Sequence, residues 1–108
     1  MNCVFLKGRI GNDLEVKKTQ ANTTILKFNL AVDDGYGAHR RSNWINITCF
    51  GKVAENISKY FYKGNEIFLT GKIVTSTYET ENNFKKYTFG VIATSFEFCG
   101  NKDINNQY

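Results

Sequence analysis

Proline is absent from this chain of 108 residues, which carries nine glycines. Turns must therefore be built from Gly, Asn and Asp, and no strand is interrupted by a residue lacking an N–H. Histidine is almost absent as well. His39 stands alone, and the 3 cysteines, Cys3, Cys49 and Cys99, sit at wide spacings with no C-x-x-C pair. That set argues against a structural zinc site and against a disulfide framework, leaving reduced thiols that behave as small apolar residues. No run approaches the roughly 20 apolar residues of a membrane helix. Met1 to Lys7 breaks into charge too early for the apolar core of a secretory signal. The expectation is a soluble, cytoplasmic protein.

Catalytic patterns are missing too. There is no Gly-rich phosphate loop, no metal-ligand cluster and no nucleophile elbow. His39 has no carboxylate or nucleophile partner in sequence, and the adjacent Asp33 and Asp34 suit a turn better than acid–base work. The chain reads as no enzyme, with no cofactor and no metal.

What is present is alternation. A hydrophobic content of 42% fits one globular domain, and the length allows one core. Residues 2–10 read as a first strand, Val4, Leu6, Gly8 and Ile10 alternating with Cys3, Phe5, Lys7 and Arg9. Turn residues Gly11 to Asp13, the charged stretch Glu15 to Lys18 and polar residues up to Thr23 lead to a second strand, Thr24 to Val32. Its Leu26, Phe28, Leu30 and Val32 share one face. A loop from Asp33 to Ser42 precedes a third strand, Asn43 to Phe50, with Ile45, Ile47 and Cys49 on one face and Trp44, Asn46, Thr48 and Phe50 on the other.

The spacing predicts one helix over Lys52 to Tyr62, with Val53, Ile57, Tyr60 and Phe61 as its apolar stripe. Glu55 and Lys59 form an i,i+4 pair opposite, and Gly64 supplies the stop. A fourth strand, Glu66 to Tyr78, places Ile67, Leu69, Gly71 and Ile73 on one face. Glu79 to Phe84 is a polar hairpin tip, and Lys85 to Phe98 a fifth strand. Three strands, one helix and two strands is the order of the OB-fold, an all-β, five-stranded Greek-key barrel with its helix between strands three and four. Closure removes the exposed edges an open sheet would leave. The barrel domain is expected over residues 1–99, with a short polar tail at 100–108.

Trp44 and Phe50 on an outward face need a reason. Stacked nucleobases are one; a partner subunit or a folded-over loop is another, and the pattern alone leaves both open. Neighbouring strands add Lys27 and Asn29, then Phe68, Thr70, Lys72 and Tyr78. Lysines interleaved with aromatics can hold phosphates and bases together. The loops carry Tyr36, Arg40 and Arg41, and Lys85 and Lys86, although an arginine pair by itself is more often a solvated loop. The net charge of +4 permits a polyanionic partner without establishing one. On the nucleic-acid reading, the candidates for base stacking are Trp44, Phe50, Tyr78 and Tyr36. Backbone contacts are expected of Arg9, Lys17, Lys27, Arg40, Arg41, Lys52, Lys72, Lys85 and Lys86.

The segment from Trp44 through Phe50-Gly51-Lys52 to Ala54-Glu55, followed by Tyr60-Phe61-Tyr62-Lys63-Gly64, resembles the third-strand-to-helix signature of bacterial single-stranded DNA-binding (SSB) proteins. The opening, with Asn2, Val4, Leu6, Gly8-Arg9-Ile10-Gly11, Asp13 and Glu15, resembles that family's start. Phe28-x-Leu30-Ala31-Val32 and Gly71-Lys72-Ile73 fall where its second and fourth strands are expected. The likeness covers residues 1–98.

It implies sequence-independent binding and protection of single-stranded DNA in replication, recombination and repair, with stacking at Trp44 and Phe50. Tyr36 and Tyr78 fall where many members carry tryptophan, and tyrosine stacks more weakly. The resemblance also implies a homotetramer whose first strands pair between subunits, a state with which outward Phe5 and Cys3 are consistent. Two departures stand out. Leu14 replaces a usual proline, and residues 101–108 do not resemble the acidic, Phe-terminated tip through which members recruit replication and repair proteins. A short phage or mobile-element form, or a shortened chain, fits that ending. Two other readings stay open: a related primosome-type accessory protein acting through protein contacts, and an RNA-binding OB module.

Overall fold

The computed structural model describes residues 1–35 and 37–99; Tyr36 and the tail 100–108 lie outside the described residues. Six strands and one α-helix follow in the order β1 (Val4–Ile10), β2 (Val16–Lys18), β3 (Thr24–Asp34), β4 (Arg41–Phe50), α1 (Gly51–Tyr60), β5 (Glu66–Glu79) and β6 (Lys85–Phe98). A 3₁₀ turn at Gly37–His39 joins β3 to β4. The sheet order β1-β5-β6-β4-β3, with β1 also pairing β3, closes five strands into a barrel. The closing β4–β6 pair is parallel, matching Ile47 to Val91 and Thr48 to Ile92. This is the expected OB-type barrel. The charged stretch read as a connection contributes the extra strand β2, which pairs with the start of β3.

Alternation places the core. Ile10, Leu26, Leu30, Ile47, Cys49, Ile67 and Leu69 are almost completely buried, and Ala54, Ile57 and Phe61 of the helix segment close one end of the barrel. Phe61 stacks on Phe98 at 5.0 Å and meets Phe96 edge-on at 5.5 Å. The helix runs Gly51–Tyr60 rather than Lys52–Tyr62. Gly51, at φ 63°, takes the left-handed conformation that turns the chain out of β4, a region open to glycine at little steric cost. Gly64 sits beyond the helix end, where its N–H donates to the Ile10 carbonyl at 2.7 Å and ties the helix exit to β1.

Three sequence expectations are corrected. Tyr60 is 51% exposed rather than core, because the helix rests on the barrel through Ala54 and Ile57, a narrower stripe than the one predicted. Glu55 and Lys59 do not pair: Glu55 accepts from the Thr24 hydroxyl at 3.4 Å, and the Lys59 ammonium lies 5.3 Å from the Tyr60 ring centre. Ile73 shares the phase of Ile67 and Leu69 yet is 45% exposed, because β5 and β6 run on past the barrel as a two-stranded arm. The Asn2 side chain marks its base, donating to the Ile73 carbonyl at 2.8 Å and accepting from the Ile73 N–H at 2.9 Å.

Burial pushes the Cys49 thiol up to about 12, while the thiol of an unfolded chain titrates near 8.5. Below that lower value both states are neutral and the group leaves stability unchanged with pH. Above it the unfolded thiol ionises and the folded one does not, so stability falls by up to about 1.4 kcal/mol per pH unit until the folded thiol titrates. Replacing Cys49 with Ala is expected to remove this component of the alkaline slope in urea melts taken between pH 8 and 11. An unchanged slope would contradict the burial of Cys49.

Candidate nucleic-acid interface

The outward face of β3 and β4 is a ladder of paired side chains. Register sets Ile25 beside Phe50, Lys27 beside Thr48, Asn29 beside Asn46 and Ala31 beside Trp44. Trp44 is 63% exposed and Phe50 is 42% exposed, while Ile47 and Cys49 between them point into the core. The two rings stand six residues apart on one strand, about 20 Å at the usual rise. Lys17 of β2 pairs with Ile25, which extends the Phe50 row outward by one cation. The inside–outside phase read from the sequence therefore holds along β4.

A groove of about 470 Å³ lies against this ladder, with Lys27, Asn29, Asn46 and Thr48 on one side and Val74, Thr88 and Gly90 of the arm on the other. It opens because β6 pairs with β4 only around Val91 and Ile92 and then diverges with the arm. Among the described residues, the Asn29 and Asn46 side-chain amides make no hydrogen bond to protein. A ligand in the groove would find aromatic faces at both ends of the ladder and, between them, the neutral donors and acceptors of Asn29, Asn46 and Thr48 beside the Lys27 ammonium.

The predicted site residues divide by position. Lys72, Tyr78 and Lys86 share one face of the arm, with Lys86 directly opposite Tyr78. That is also the face of Val74 and Thr88. Lys85 pairs with Glu79 on the other face of the arm. Lys52 is exposed in the first helical turn, just past Phe50, whereas Arg40 and Arg41 lie at the opposite end of β4. Arg41 faces Asp34 across the strand pair. The Arg9 backbone pairs with Ala31, and its guanidinium donates to the Gly64 carbonyl at 3.3 Å. Tyr36 falls outside the described residues.

Charge along the face is mixed: Asp13 and Glu15 line the strip beside Lys17 and Lys27. Among the described residues no group of three or more His, Cys, Asp or Glu side chains is placed to hold a metal. No described helix is long and apolar enough to cross a membrane.

Sequence reasoning assigned no role to Phe84, Tyr87 and Phe89, which are 68%, 76% and 62% exposed on the arm. Tyr87 and Phe89 carry the same phase as buried Val91 and Ala93, so alternation alone does not mark them as exposed. The available signal was length. Both β5 and β6 span 14 residues, whereas strands of globular domains usually run five or six, so the excess has to project.

A family model described as the single-strand binding protein family matches residues 1–99. The chain is 41% identical over 103 residues to a single-stranded DNA-binding protein of Fusobacterium nucleatum, covering 91% of this chain and 66% of that protein. Identity to a Staphylococcus aureus single-stranded DNA-binding protein is 34%, over 98% of this chain and 70% of the relative. A single-stranded DNA-binding protein 1 of Chlorobaculum tepidum is 29% identical over 95% and 67%. The chain thus spans about two thirds of the length of the curated relatives it matches.

Proposed function

This chain belongs to the single-strand binding protein family, and from that premise we propose that it binds and protects single-stranded DNA, without regard to sequence, in replication, recombination and repair. The observation that carries the proposal is the outward placement of Trp44 and Phe50 at the two ends of an amide-lined ladder, beside a groove walled by the arm. Every base has a π-face, so stacking on these rings tolerates any sequence. Lys17, Lys27, Lys72 and Lys86 lie within reach of a strand that follows the ladder and the arm. Binding is the whole activity in this reading, no bond being made or broken, and the cytoplasm is its place of action. Residues 1–99 form the binding domain.

The assembly proposed is a homo-oligomer, specifically a tetramer. β1 pairs with β5 along Val4–Arg9, but with β3 only at Arg9 and Ile10, so its other edge is open over most of its length. An unpaired edge is a template for a second strand, and Phe5 on this strand is 66% exposed.

Trp44 is the sole tryptophan, so its fluorescence reports on the site directly. Titration with oligo-dT at several salt concentrations, with sedimentation of the same sample, tests the proposal. Quenching that shifts steeply with salt supports it; no quenching at low salt refutes it. Tighter binding to oligo-U than to oligo-dT would redirect the reading to RNA. Replacing Lys72 with Ala is expected to reduce the slope of log K against log salt by about 0.7, the share of one phosphate contact on a single strand. An unchanged slope would remove Lys72 from the path.

A further inference from the structure

The residue that seats Trp44 is a glycine one strand away. Gly11 follows β1 directly, and its N–H donates to the Asn29 carbonyl at 2.8 Å. The next side chain returns the contact, since Asn12 accepts the Asn29 N–H through its Oδ1 at 2.7 Å. These two bonds fasten the turn to β3 two residues before Ala31, the partner of Trp44. The indole occupies the space a side chain at position 11 would fill. A methyl group there would overlap Cζ3 of the indole and stand 3.2 Å from its Cη2. The benzo edge of the ring therefore rests on bare backbone, while most of the ring remains open to solvent.

We infer that Gly11, held by Asn12, is a positioning residue for base stacking: it locks the Trp44 ring in one orientation before any ligand arrives. An aromatic platform free to swing must be ordered on binding, and that entropy opposes association; a platform already fixed avoids most of it. The inference rests on the stacking role of Trp44 given above. Cζ3 lies at the far end of a rotatable side chain, so a methyl group at position 11 displaces the ring in preference to the barrel. The nearest backbone atom, the Asn29 carbonyl oxygen, is 3.3 Å from the added carbon.

Gly11→Ala is the test. The near-ultraviolet circular dichroism of the single indole should weaken, and acrylamide should quench Trp44 more readily than in the parent. Affinity for oligo-dT, followed by anisotropy of a labelled oligomer, should fall about 2- to 10-fold, with the salt slope unchanged because no phosphate contact is lost. In a Trp44→Ala background the same substitution should have no effect on affinity. Asn12→Ala adds no atoms and should act in the same direction, which keeps the test available if Gly11→Ala does not fold. Parental affinity with an unchanged indole band would overturn the inference, as would an equal loss of affinity with and without Trp44. If the parent chain does not bind oligo-dT at all, the functional proposal fails, while the dichroism still reports whether Gly11 fixes the ring.

Discussion

Trp44→Ala is expected to weaken binding to oligo-dT by about 1–3 kcal/mol, roughly 5- to 150-fold, the range found when a stacking aromatic is truncated to alanine in single-strand binders. The loss should be similar for oligo-dC and mixed sequences, because the ring offers a face and no base-specific hydrogen bond. Stability should hold, since the indole is 63% exposed and rests on a turn rather than in the core. Phe50→Ala should act in the same direction at the lower end of that range, its ring being only 42% exposed. The doubly substituted chain should lose less than the sum if one bound strand engages both platforms. Anisotropy of a labelled oligomer measures all three without relying on the tryptophan removed. If Trp44→Ala bound oligo-dT as tightly as the parent, the ladder on β4 would not be the binding face. If it unfolded the protein, the ring would be structural.

Gly71→Val is expected to destabilise the protein by about 3 kcal/mol or more, at the upper end of what overpacking a core brings about. Gly71 is buried where β5 crosses an irregularity in β6: it pairs with Ala93, whereas the preceding Thr70 pairs with Ser95. The extra residue, Thr94, donates its hydroxyl to the Thr70 carbonyl at 3.1 Å. This bulge brings the β6 backbone over Gly71. A carbon added there would overlap the Ile92 carbonyl oxygen and stand 2.9 Å from the Ile92 carbonyl carbon and 3.1 Å from the Ala93 Cα. None of these is a side chain able to rotate away, so either the ladder or the barrel closure has to shift. Total stabilities of about 5–15 kcal/mol make this a large fraction of the whole. Urea unfolding should show a lower midpoint with an unchanged m-value, and Gly71→Ala should show a smaller loss. A parental midpoint for Gly71→Val would mean that β5 and β6 do not approach this closely.

The face of each residue was legible where strands are half-buried. Along β4 the phase of Ile45, Ile47 and Cys49 against Trp44, Asn46, Thr48 and Phe50 is present in the letters, and burial follows it. The candidate stacking pair, Trp44 and Phe50, could be named from that phase together with the family signature around it. The arm was not legible, because Tyr87 and Phe89 carry the same alternation as Val91 and Ala93 and nothing local distinguishes a strand inside the barrel from one that has left it. Tyr60 was misread for a related reason: a helical stripe shows which side is apolar but not how wide a surface lies beneath it.

The sequence alone determined the order of elements, the inward and outward sets of the barrel strands and the aromatic candidates, because a two-residue period with one buried face is a local property of the chain. Only the tertiary structure decided where β5 and β6 leave the barrel, that Gly11 lies under Trp44, that Arg9 turns toward Gly64, and which lysines share a face with Tyr78. Each of these is a meeting of segments distant in sequence, and barrel closure and strand register, rather than the preference of any single segment, bring such residues together.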